Sequence, residues 1–334
     1  MRKKVTIDTI AKIAGVSKMT VSRVLNHPEL VSKRTLMKVR KVIEELGYHP
    51  RADARTLAGG RVKTLGFLIK SSSEFALPPF YNECVLGTFK IAKEKGYRFI
   101  MYDLIDETSI SLLTDHIHSH FVEGLIIFEG VYEETLIKRI LDSGITIVFV
   151  GEKIRDDFIT ISSDNKNGAR EAVEYLILKR GCKRLIHIAG TDDKPSCLER
   201  EMAYLEVVEN YGVENLGIVR TSSTLEGGVK AAREIIKNGI IPDGIFCFSD
   251  IIAIGAMHEL VNHGFSIPKD IKIVGFDDII LSRYTTPPLT TVHQDIAKMG
   301  ELAVLTLIQI LDNKNEPRQK HIVFPTHLVI RKSA

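Results

Sequence analysis

The residues with the clearest chemical potential lie in one short stretch, Val16 to Asn26, which reads V-S-K-M-T-V-S-R-V-L-N. Three of its apolar residues recur at helical spacing and predict a buried helix face: Val21, Val24 and Leu25. The opposite face carries cations and short polar groups but no anion: Lys18, Met19, Ser22 and Arg23. Such a face suits the DNA major groove, where phosphates line the rim and guanine acceptors lie on the floor. The stretch therefore predicts a DNA-recognition helix.

The elements around this stretch predict a helix-turn-helix. Ser17 has the hydroxyl that a helix N-cap needs, and Thr6 can cap a preceding helix that ends at Ala14. Gly15 then supplies the short turn that joins two crossed helices. A third helix is expected after Ser32, which is its predicted cap. The alternative is an ordinary helical hairpin, because helix–glycine–helix spacing does not by itself prove DNA binding.

The distribution of charge favours a nucleic-acid partner for the first 60 residues. They contain 13 Lys and Arg against 5 Asp and Glu, although the whole chain of 334 residues has a formal net charge of only +3. The rest of the chain is mildly acidic, with 32 basic against 37 acidic residues. A basic head on an acidic body is typical of a protein that binds a polyanion through its head.

The sequence disfavours several other classes of protein. No apolar run approaches the ~20 residues of a membrane span, and no apolar signal-peptide core is present, so we expect a cytoplasmic protein. The cysteines are widely spaced and are expected to be reduced: Cys84, Cys182, Cys197 and Cys247. Histidines alternate at positions 116, 118 and 120, but their setting favours a polar helix end over a metal site. We expect no metal and no cofactor.

Residues 51–60, R-A-D-A-R-T-L-A-G-G, predict a linker with helical propensity. An isolated helix of this length is marginal in water, so the segment can become ordered when DNA is present. Leu57 is then a candidate wedge for the minor groove, since apolar side chains inserted there kink the duplex. On the residues alone, packing of Leu57 against the body is the favoured alternative.

From Lys63 onward, apolar runs rich in Val and Ile alternate with amphipathic segments. Seven strands are predicted: Leu65–Ile69, Arg98–Tyr102, Leu125–Phe128, Thr146–Val150, Leu185–Ala189, Ile245–Phe248 and Ile271–Val274. Six helices are predicted as well: Asn82–Lys95, Glu133–Asp142, Asn167–Lys179, Arg200–Asn210, Gly227–Asn238 and Ile251–Asn262. So many βα units predict two doubly wound halves with parallel sheets. Because ligands bind beyond the carboxyl ends of such strands, we expect a small-molecule cleft between the halves.

Over nearly its whole length the sequence resembles the lactose-repressor (LacI/GalR) family of bacterial transcription regulators. The resemblance rests on the head, V-T-I-D-T-I-A-K-I-A-G-V-S-K-M-T-V-S-R-V-L-N, and on the hinge-like R-T-L-A-G-G. Three later motifs support it: V-G-F-D-D at 274–278, P-P-L-T-T-V at 287–292 and L-V-I-R-K-S at 328–333. It implies a homodimeric repressor that binds a pseudo-palindromic double-stranded operator and senses a sugar or sugar derivative.

The family architecture implies a small all-α helix-turn-helix head and an α/β body of two doubly wound parallel-sheet subdomains, similar to periplasmic binding proteins. Three parts are expected in chain order: the head at 1–50, the hinge at 51–61 and the body at 62–334. The chain is expected to cross between the subdomains at three places: near Ser162, His293 and Pro325. One subdomain then comprises 62–162 plus 293–324, and the other 163–292 plus 325–334.

The resemblance also assigns DNA contacts to residues of the head. Base edges are expected to be read by three side chains: Lys18, Met19 and Arg23. Arg23 can bind guanine O6 and N7 in a bidentate way, whereas Met19 offers only apolar contact, for example to a thymine methyl. The DNA backbone is expected to be contacted by four hydroxyl side chains: Thr6, Ser17, Thr20 and Ser22. Leu57 matches the family's minor-groove wedge, which replaces the packing interpretation.

In the body the resemblance implies an effector site at the strand ends. Six residues are expected to contact the effector: Phe80, Tyr81, Asn167, Arg200, Asp250 and Asp277. Either aromatic ring can stack on a sugar, and the two carboxylates can accept hydrogen bonds from adjacent sugar hydroxyls. Helix N-capping is the competing role for Asp277 and, more seriously, for Asp250. For Asp164 the favoured role is to cap the helix that contains Asn167.

Three departures from the family pattern surround this expected site. Ala203 stands where Gly is usual, and Ser249 stands where Asn is frequent. The stretch 71–80, S-S-S-E-F-A-L-P-P-F, is longer and richer in proline than the usual turn. The identity of the effector therefore stays open. No heptad repeat follows the body before Ala334, so dimers are expected rather than tetramers.

Three alternative functions are open at this stage. The first is a regulator controlled by a protein or by a non-sugar corepressor. The second is a sugar-transforming enzyme with the same body, which is disfavoured because the sequence has no nucleophile elbow, phosphate loop or metal cluster. The adjacent Asp277 and Asp278 are not expected to act as an acid–base pair, since loop neighbours point apart. The third, a transporter's solute-binding protein, is disfavoured by the basic head.

Overall fold

The computed structural model describes residues 6–26, 28–46, 62–69, 79–103, 107–128, 134–152, 155–191, 194–313, 317 and 319–334. Its amino-terminal part consists of three crossed helices. These helices, with a short 3-10 turn before the third, are α1 (Ile7–Ala14), α2 (Lys18–Asn26) and α3 (Lys33–Glu45). Their apolar faces meet in a small core that includes Ile10, Val21 and Val39. The predicted hinge and its Leu57 lie outside the described residues.

Local signals determine where these helices begin and end. Thr6 and Thr9 form a reciprocal capping box at the start of α1. Gly15 ends α1 in the left-handed backbone conformation, with φ 61°. This conformation has little steric cost for glycine, because glycine has no Cβ. The Ser32 side chain accepts a hydrogen bond from the Thr35 N–H and caps α3. The predicted caps and the predicted glycine turn are therefore confirmed.

Twelve strands are present in the described part of the body. In chain order they are β1 (Thr64–Ile69), β2 (Arg98–Asp103), β3 (Gly124–Phe128), β4 (Thr146–Gly151), β5 (Thr160–Ser163), β6 (Arg184–Ala189), β7 (Glu214–Arg220), β8 (Gly244–Cys247), β9 (Lys272–Val274), β10 (Thr291–His293), β11 (His321–Phe324) and β12 (His327–Val329). They form a six-stranded sheet in the order β11-β5-β4-β3-β1-β2 and a four-stranded sheet in the order β7-β6-β8-β9. Every pairing within these two sheets is parallel.

Helices cover both faces of each sheet. The helices of the body are α4 (Pro79–Glu94), α5 (Glu107–His118), α6 (Glu134–Asp142), α7 (Asn165–Glu174), α8 (Pro195–Tyr211), α9 (Leu225–Lys237), α10 (Asp250–Asn262) and α11 (Ile296–Asn313). In the six-stranded half, α4 and α11 share one apolar core and α5 and α6 share the other. In the four-stranded half, α9 and α10 pack on one face and α7 and α8 on the other. The predicted pair of doubly wound halves is thus confirmed.

The chain passes between the two halves more than once. It leaves the six-stranded sheet after Ser163, returns through α11 after His293, and leaves again after Phe324. Between the sheets, β10 and β12 form an antiparallel pair in which His293 lies opposite His327. This arrangement agrees with the crossings implied by the family, although the residue boundaries of the subdomains stay a prediction.

Some elements differ from the sequence prediction. All seven predicted strands and six predicted helices exist, with shifts of a few residues at their ends. The predicted helix Asn167–Lys179 begins earlier, at Asn165, and its last turn, Tyr175–Lys179, is a π-helix. The prediction omitted seven elements: α5, α11, β5, β7, β10, β11 and β12. The strands among them are short or partly exposed, so their apolar pattern is weak.

Within the described ranges, no helix has both the length and the apolar character needed to cross a bilayer. The same residues contain no cluster of three or more His, Cys, Asp or Glu suited to holding a metal ion. His116 lies on α5, where its Nδ1 is 2.7 Å from the Tyr102 hydroxyl. His118 is the last residue of α5, so the alternating histidines do lie at a helix end.

Candidate functional site

Helix α2 presents the predicted DNA-reading residues to solvent. The helix begins at Lys18, because Ser17 Oγ accepts a hydrogen bond from the Thr20 N–H at 3.0 Å. Val21 and Val24 are buried in the core of the head, which turns the opposite face of α2 outward. The three candidate base-reading residues are all exposed: Lys18, Met19 and Arg23. Met19 is 64% exposed, so its side chain is accessible for apolar contact with a thymine methyl.

The four hydroxyl residues predicted to contact the DNA backbone lie in two settings. Thr6 and Ser17 are exposed N-cap positions at the starts of α1 and α2, where free backbone N–H groups favour a phosphate. Thr20 and Ser22 are half-buried on α2. Lys18 forms an ion pair with Asp8 of α1. Both side chains of that pair are exposed, so a phosphate can replace the aspartate at little cost.

A cleft of about 540 Å³, including space open to solvent, lies beyond the carboxyl ends of strands from both sheets. Residues that follow β1, β6, β7, β8 and β9 line it: Pro79, Phe80, Tyr81, Lys194, Arg200, Ser223, Phe248, Ser249, Ile251, Asp277 and Ile279. Four of the six predicted effector residues are among them, namely Phe80, Tyr81, Arg200 and Asp277. The position is the one where doubly wound sheets bind ligands.

Arg200 is the most tightly held polar residue of this cleft. Its side chain is only 3% exposed. Nε and Nη2 donate to Asn165 Oδ1 at 3.0 and 2.8 Å, and Nη1 donates to the Phe248 carbonyl at 2.6 Å. The guanidinium also lies over the ring of Phe276, 3.6 Å from its centroid. Such fixed geometry prepares a planar cation for recognition of hydroxyl or acidic groups.

Asp277 supplies the counter-charge to this arginine. Its Oδ1 lies 3.5 Å from Arg200 Nη1 and accepts a hydrogen bond from Gln294 Nε2 at 2.8 Å. Its backbone has φ 122°, an uncommon conformation for a residue with a side chain. Strained backbone of this kind is concentrated at ligand sites. Because Asp277 follows β9 and lines the cleft, its N-capping alternative is not supported by the structure.

Asp250 does not reach the cleft, contrary to the prediction. It is fully buried, with Oδ2 accepting from the Ile279 N–H at 3.0 Å and Oδ1 accepting from the Thr291 hydroxyl. Burial, followed by the nearby charge of Asp277, raises the pKa of its carboxyl group. The N-capping alternative is also wrong, since Ser249 caps α10. Asp250 instead joins the start of α10 to residues that flank the chain crossing.

Asn167, like Asp250, does not line the cleft. Asp164 caps α7 through the Asn167 N–H and also accepts from Asn167 Nδ2 at 2.5 Å. Arg170 donates to Asn167 Oδ1 at 3.0 Å. Its amide is thus occupied by neighbours on its own helix, and the geometry lends no support to effector contact. The capping role predicted for Asp164 is confirmed.

The two predicted aromatic residues differ in accessibility. Tyr81 is 6% exposed and its ring meets Phe128 edge-on, with centroids 4.6 Å apart. Phe80 is half-buried and also packs against Phe128. Both line the cleft, but Phe80 offers more free surface to a stacked ring.

Several residues of the cleft were not predicted to contact the effector. Those with polar side chains are Lys194, Ser223 and Ser249. Lys194 precedes Pro195, a common first residue of a helix, in the connection after β6. Since strand-to-helix connections line such clefts, this signal could have identified Lys194. Asn165, which accepts two hydrogen bonds from Arg200, carried no comparable signal in the sequence.

Comparison with known proteins agrees with this description. Residues 6–51 match the family described as bacterial regulatory proteins, lacI family. Residues 173–334 match a periplasmic binding protein-like domain. The first match contains α2 with its exposed face, and the second contains Arg200 and Asp277.

Individual proteins extend the similarity to the whole chain. The transcriptional regulator CelR of Thermobifida fusca is 30% identical over 340 residues, which cover 99% of each chain. A structure of a CelR–cellobiose complex has 27% identity and a TM-score of 0.76, over 99% of this chain and 100% of that one. A lac repressor dimer bound to operator and the anti-inducer ONPF has 25% identity and a TM-score of 0.86, over 99% of both chains. The chain therefore belongs to the lacI family of bacterial regulatory proteins.

Proposed function

We propose that the protein is a homodimeric transcriptional repressor whose affinity for a pseudo-palindromic operator is controlled by a sugar or sugar derivative bound in the cleft. One observation carries the proposal. Arg200 and Asp277 form a buried, fixed pair in a cleft between two sheets, in a chain that also presents the exposed face of α2. A repressor acting on bacterial DNA works in the cytoplasm, and this function needs no enzymatic step and no cofactor.

In the head, we assign base reading to three residues: Lys18, Met19 and Arg23. Contacts with the DNA backbone are assigned to Thr6, Ser17, Thr20 and Ser22. Residues 51–61 serve as the hinge, with Leu57 as the minor-groove wedge. Two heads of a dimer then read two half-sites about one helical turn apart. The exposure of the base-reading side chains and the capped helix starts support these assignments.

In the cleft, Arg200 and Asp277 bind hydroxyl groups of the effector. A guanidinium donates to them, and a carboxylate accepts from two adjacent hydroxyls. Phe80 stacks on the apolar face of the ring, with Tyr81 behind it. A sugar is favoured as the effector because charged and aromatic groups converge here, and because the similar CelR structure contains cellobiose.

Control of DNA binding follows from the position of the cleft. One subdomain comprises 62–162 plus 293–324, and the other 163–292 plus 325–334, so an effector touches both. An effector that binds one relative arrangement of the halves more tightly than another shifts the balance between them. That shift changes the spacing of the hinges and hence the fit of both heads to the operator.

The experiment uses the full-length protein. Its thermal denaturation is followed in the presence of cellobiose, D-gluconate, D-glucuronate and glucose 6-phosphate. A compound at 100 times its Kd adds about 2.7 kcal/mol to the free energy of unfolding, which raises the Tm. The Asp277→Ala variant should lose that shift, whereas Asn167→Ala should keep it. An absence of any shift would favour a protein or non-sugar corepressor.

DNA binding is tested separately. An operator is selected from random-sequence duplexes with the full-length protein, and its Kd is measured by fluorescence anisotropy at fixed salt. The compound that raises the Tm should change this Kd in the wild type but not in Asp277→Ala. A protein that selects no preferred duplex would contradict the repressor proposal.

A further inference from the structure

We propose that Asn165 is the positioning residue for Arg200 and that it ties this arginine to the place where the chain crosses between the halves. The inference rests on the proposed function, in which Arg200 binds the effector. Asn165 itself is not among the residues that line the cleft. It acts through Arg200.

The contacts of Asn165 are made with two successive residues of α8. Its Oδ1 accepts from both Nε and Nη2 of Arg200, at 3.0 and 2.8 Å. Its Nδ2 donates to Glu199 Oε2 at 2.8 Å. The residue is 4% exposed, so water offers little competition for these bonds. The amide of Asn165 thus accepts hydrogen bonds from the Arg200 cation through its oxygen and donates one to the Glu199 carboxylate through its nitrogen.

This pattern permits a single orientation of the amide. A flipped Asn165 would turn its N–H donors toward the N–H donors of Arg200 and its oxygen toward the Glu199 carboxylate. Neither pairing is favourable. The amide therefore holds one edge of the guanidinium, while the Phe248 carbonyl and the Phe276 ring hold its other sides. Removal of Asn165 would leave Nε and Nη2 of Arg200 without this acceptor.

The backbone next to Asn165 is hydrogen-bonded to another segment where the chain crosses between the two halves. The Asp164 N–H donates to the Phe324 carbonyl at 2.9 Å, and the Thr326 hydroxyl donates to the Asp164 carbonyl at 3.0 Å. Residues 163–165 and 324–326 therefore run side by side where the chain passes from one sheet to the other. A relative movement of the two halves at this point is transmitted to Arg200 through the side chain of Asn165.

Arginine Nε–H exchange in the full-length, 15N-labelled protein tests the positioning role without any ligand. The Nε–H resonance of Arg200 is identified by its absence in Arg200→Lys. In the wild type this proton should exchange slowly, because it is buried and bonded to Asn165. Asn165→Ala should speed its exchange at least about tenfold, which corresponds to loss of one hydrogen bond. Asn165→Asp keeps an acceptor for Arg200 and should retain slow exchange, but it replaces the donor to Glu199 with a second carboxylate and should therefore lower the free energy of unfolding.

Asn167→Ala is the matched control, since it removes a second asparagine from the same helix start without touching Arg200. It should leave the exchange of the Arg200 proton unchanged. If Asn165→Ala also leaves it unchanged while the protein stays folded, the positioning role is wrong. If Asn165→Ala fails to fold, Asn165→Gln provides the comparison, because Gln keeps the amide but displaces it by one methylene.

Effector binding gives a second readout, with cellobiose, D-gluconate, D-glucuronate and glucose 6-phosphate as probes. For any probe that binds the wild type, Asn165→Ala should raise the Kd at least about tenfold, and Asn167→Ala less than twofold. Equal binding by Asn165→Ala, together with loss of binding by Arg200→Ala, would overturn the inference and leave the proposed function intact. If no probe binds the wild type, a protein or non-sugar corepressor is favoured and proton exchange alone decides the role of Asn165.

Discussion

The guanidinium of Arg200 lies over the ring of Phe276, with its carbon 3.6 Å from the ring centroid. The next residue, Asp277, places its carboxylate 3.5 Å from the same guanidinium. Two successive residues after β9 therefore supply an aromatic face and a counter-charge to one buried arginine. Removing a charge from water is costly unless it is paired and hydrogen-bonded, and here both conditions are met.

Arg200→Lys should lower the free energy of unfolding by about 2–3 kcal/mol and abolish effector binding. A lysine ammonium cannot reach Asn165 and the Phe248 carbonyl together, and it loses the planar contact with Phe276. Urea denaturation measures the first effect. Arg155→Lys is a matched control, because Arg155 also pairs with an aspartate and lies over a phenylalanine, but is exposed. It should change the free energy of unfolding by no more than about 0.5 kcal/mol.

His187 should make the protein less stable in mild acid. It is fully buried between the rings of Tyr204 and Phe246, and among the residues that the structure describes its Nε2 has no hydrogen-bond partner. Burial lowers its pKa to about 4, from an ordinary value near 6.5. Between these values the unfolded chain binds a proton that the folded chain does not. The free energy of unfolding should therefore fall by about 3 kcal/mol as pH drops from 6.5 to 4.

The variant His187→Phe should remove this part of the pH dependence, because it cannot take up a proton in either state. Urea denaturation between pH 4 and pH 7.5 compares it with the wild type. His258→Gln, which changes an exposed histidine, is the control and should keep the wild-type slope. A wild-type slope that persists in His187→Phe would assign the acid sensitivity to other groups.

The parts of the site that could be predicted from the sequence are those set by local signals. N-cap hydroxyls, a glycine turn and an apolar stripe were enough to place Lys18 and Arg23 on an exposed helix face. Arg200 was identified only through the family resemblance, because it lies inside α8, whereas Asp277 follows β9 within the motif V-G-F-D-D. These signals span only a few residues.

Contacts between distant parts of the chain could not be predicted in this way. In N-K-N at 165–167, nothing local shows that Asn165 turns toward Arg200, 35 residues away, while Asn167 turns back to Asp164. Asp250 was misassigned for the same reason, since its partner Thr291 lies 41 residues along the chain. Such roles depend on tertiary contacts between elements of the same half that are far apart in the sequence.

Gly87→Ala should destabilise the protein, although alanine ordinarily strengthens a helix. A Cβ added at Gly87 of α4 would lie 2.1 Å from the Ala297 carbonyl oxygen of α11, so the two helices would have to separate. We expect a loss of about 1–3 kcal/mol in the free energy of unfolding. Asn82→Ala, at an exposed position of α4, should change it little. A gain of about 1 kcal/mol for Gly87→Ala would instead follow from helix propensity alone and would contradict this packing.

Arg23→Ala should weaken operator binding by about 1–3 kcal/mol and relax the preference at one base pair of each half-site, because a bidentate contact with guanine is lost. Anisotropy titrations with the selected operator and with single-base variants measure both effects at constant salt. Lys41→Ala is the control, since Lys41 is also an exposed cation, on α3 near Glu45. It should leave the base preference unchanged. If Arg23→Ala weakened all duplexes equally, Arg23 would contact phosphate, and base reading would fall to Lys18 and Met19.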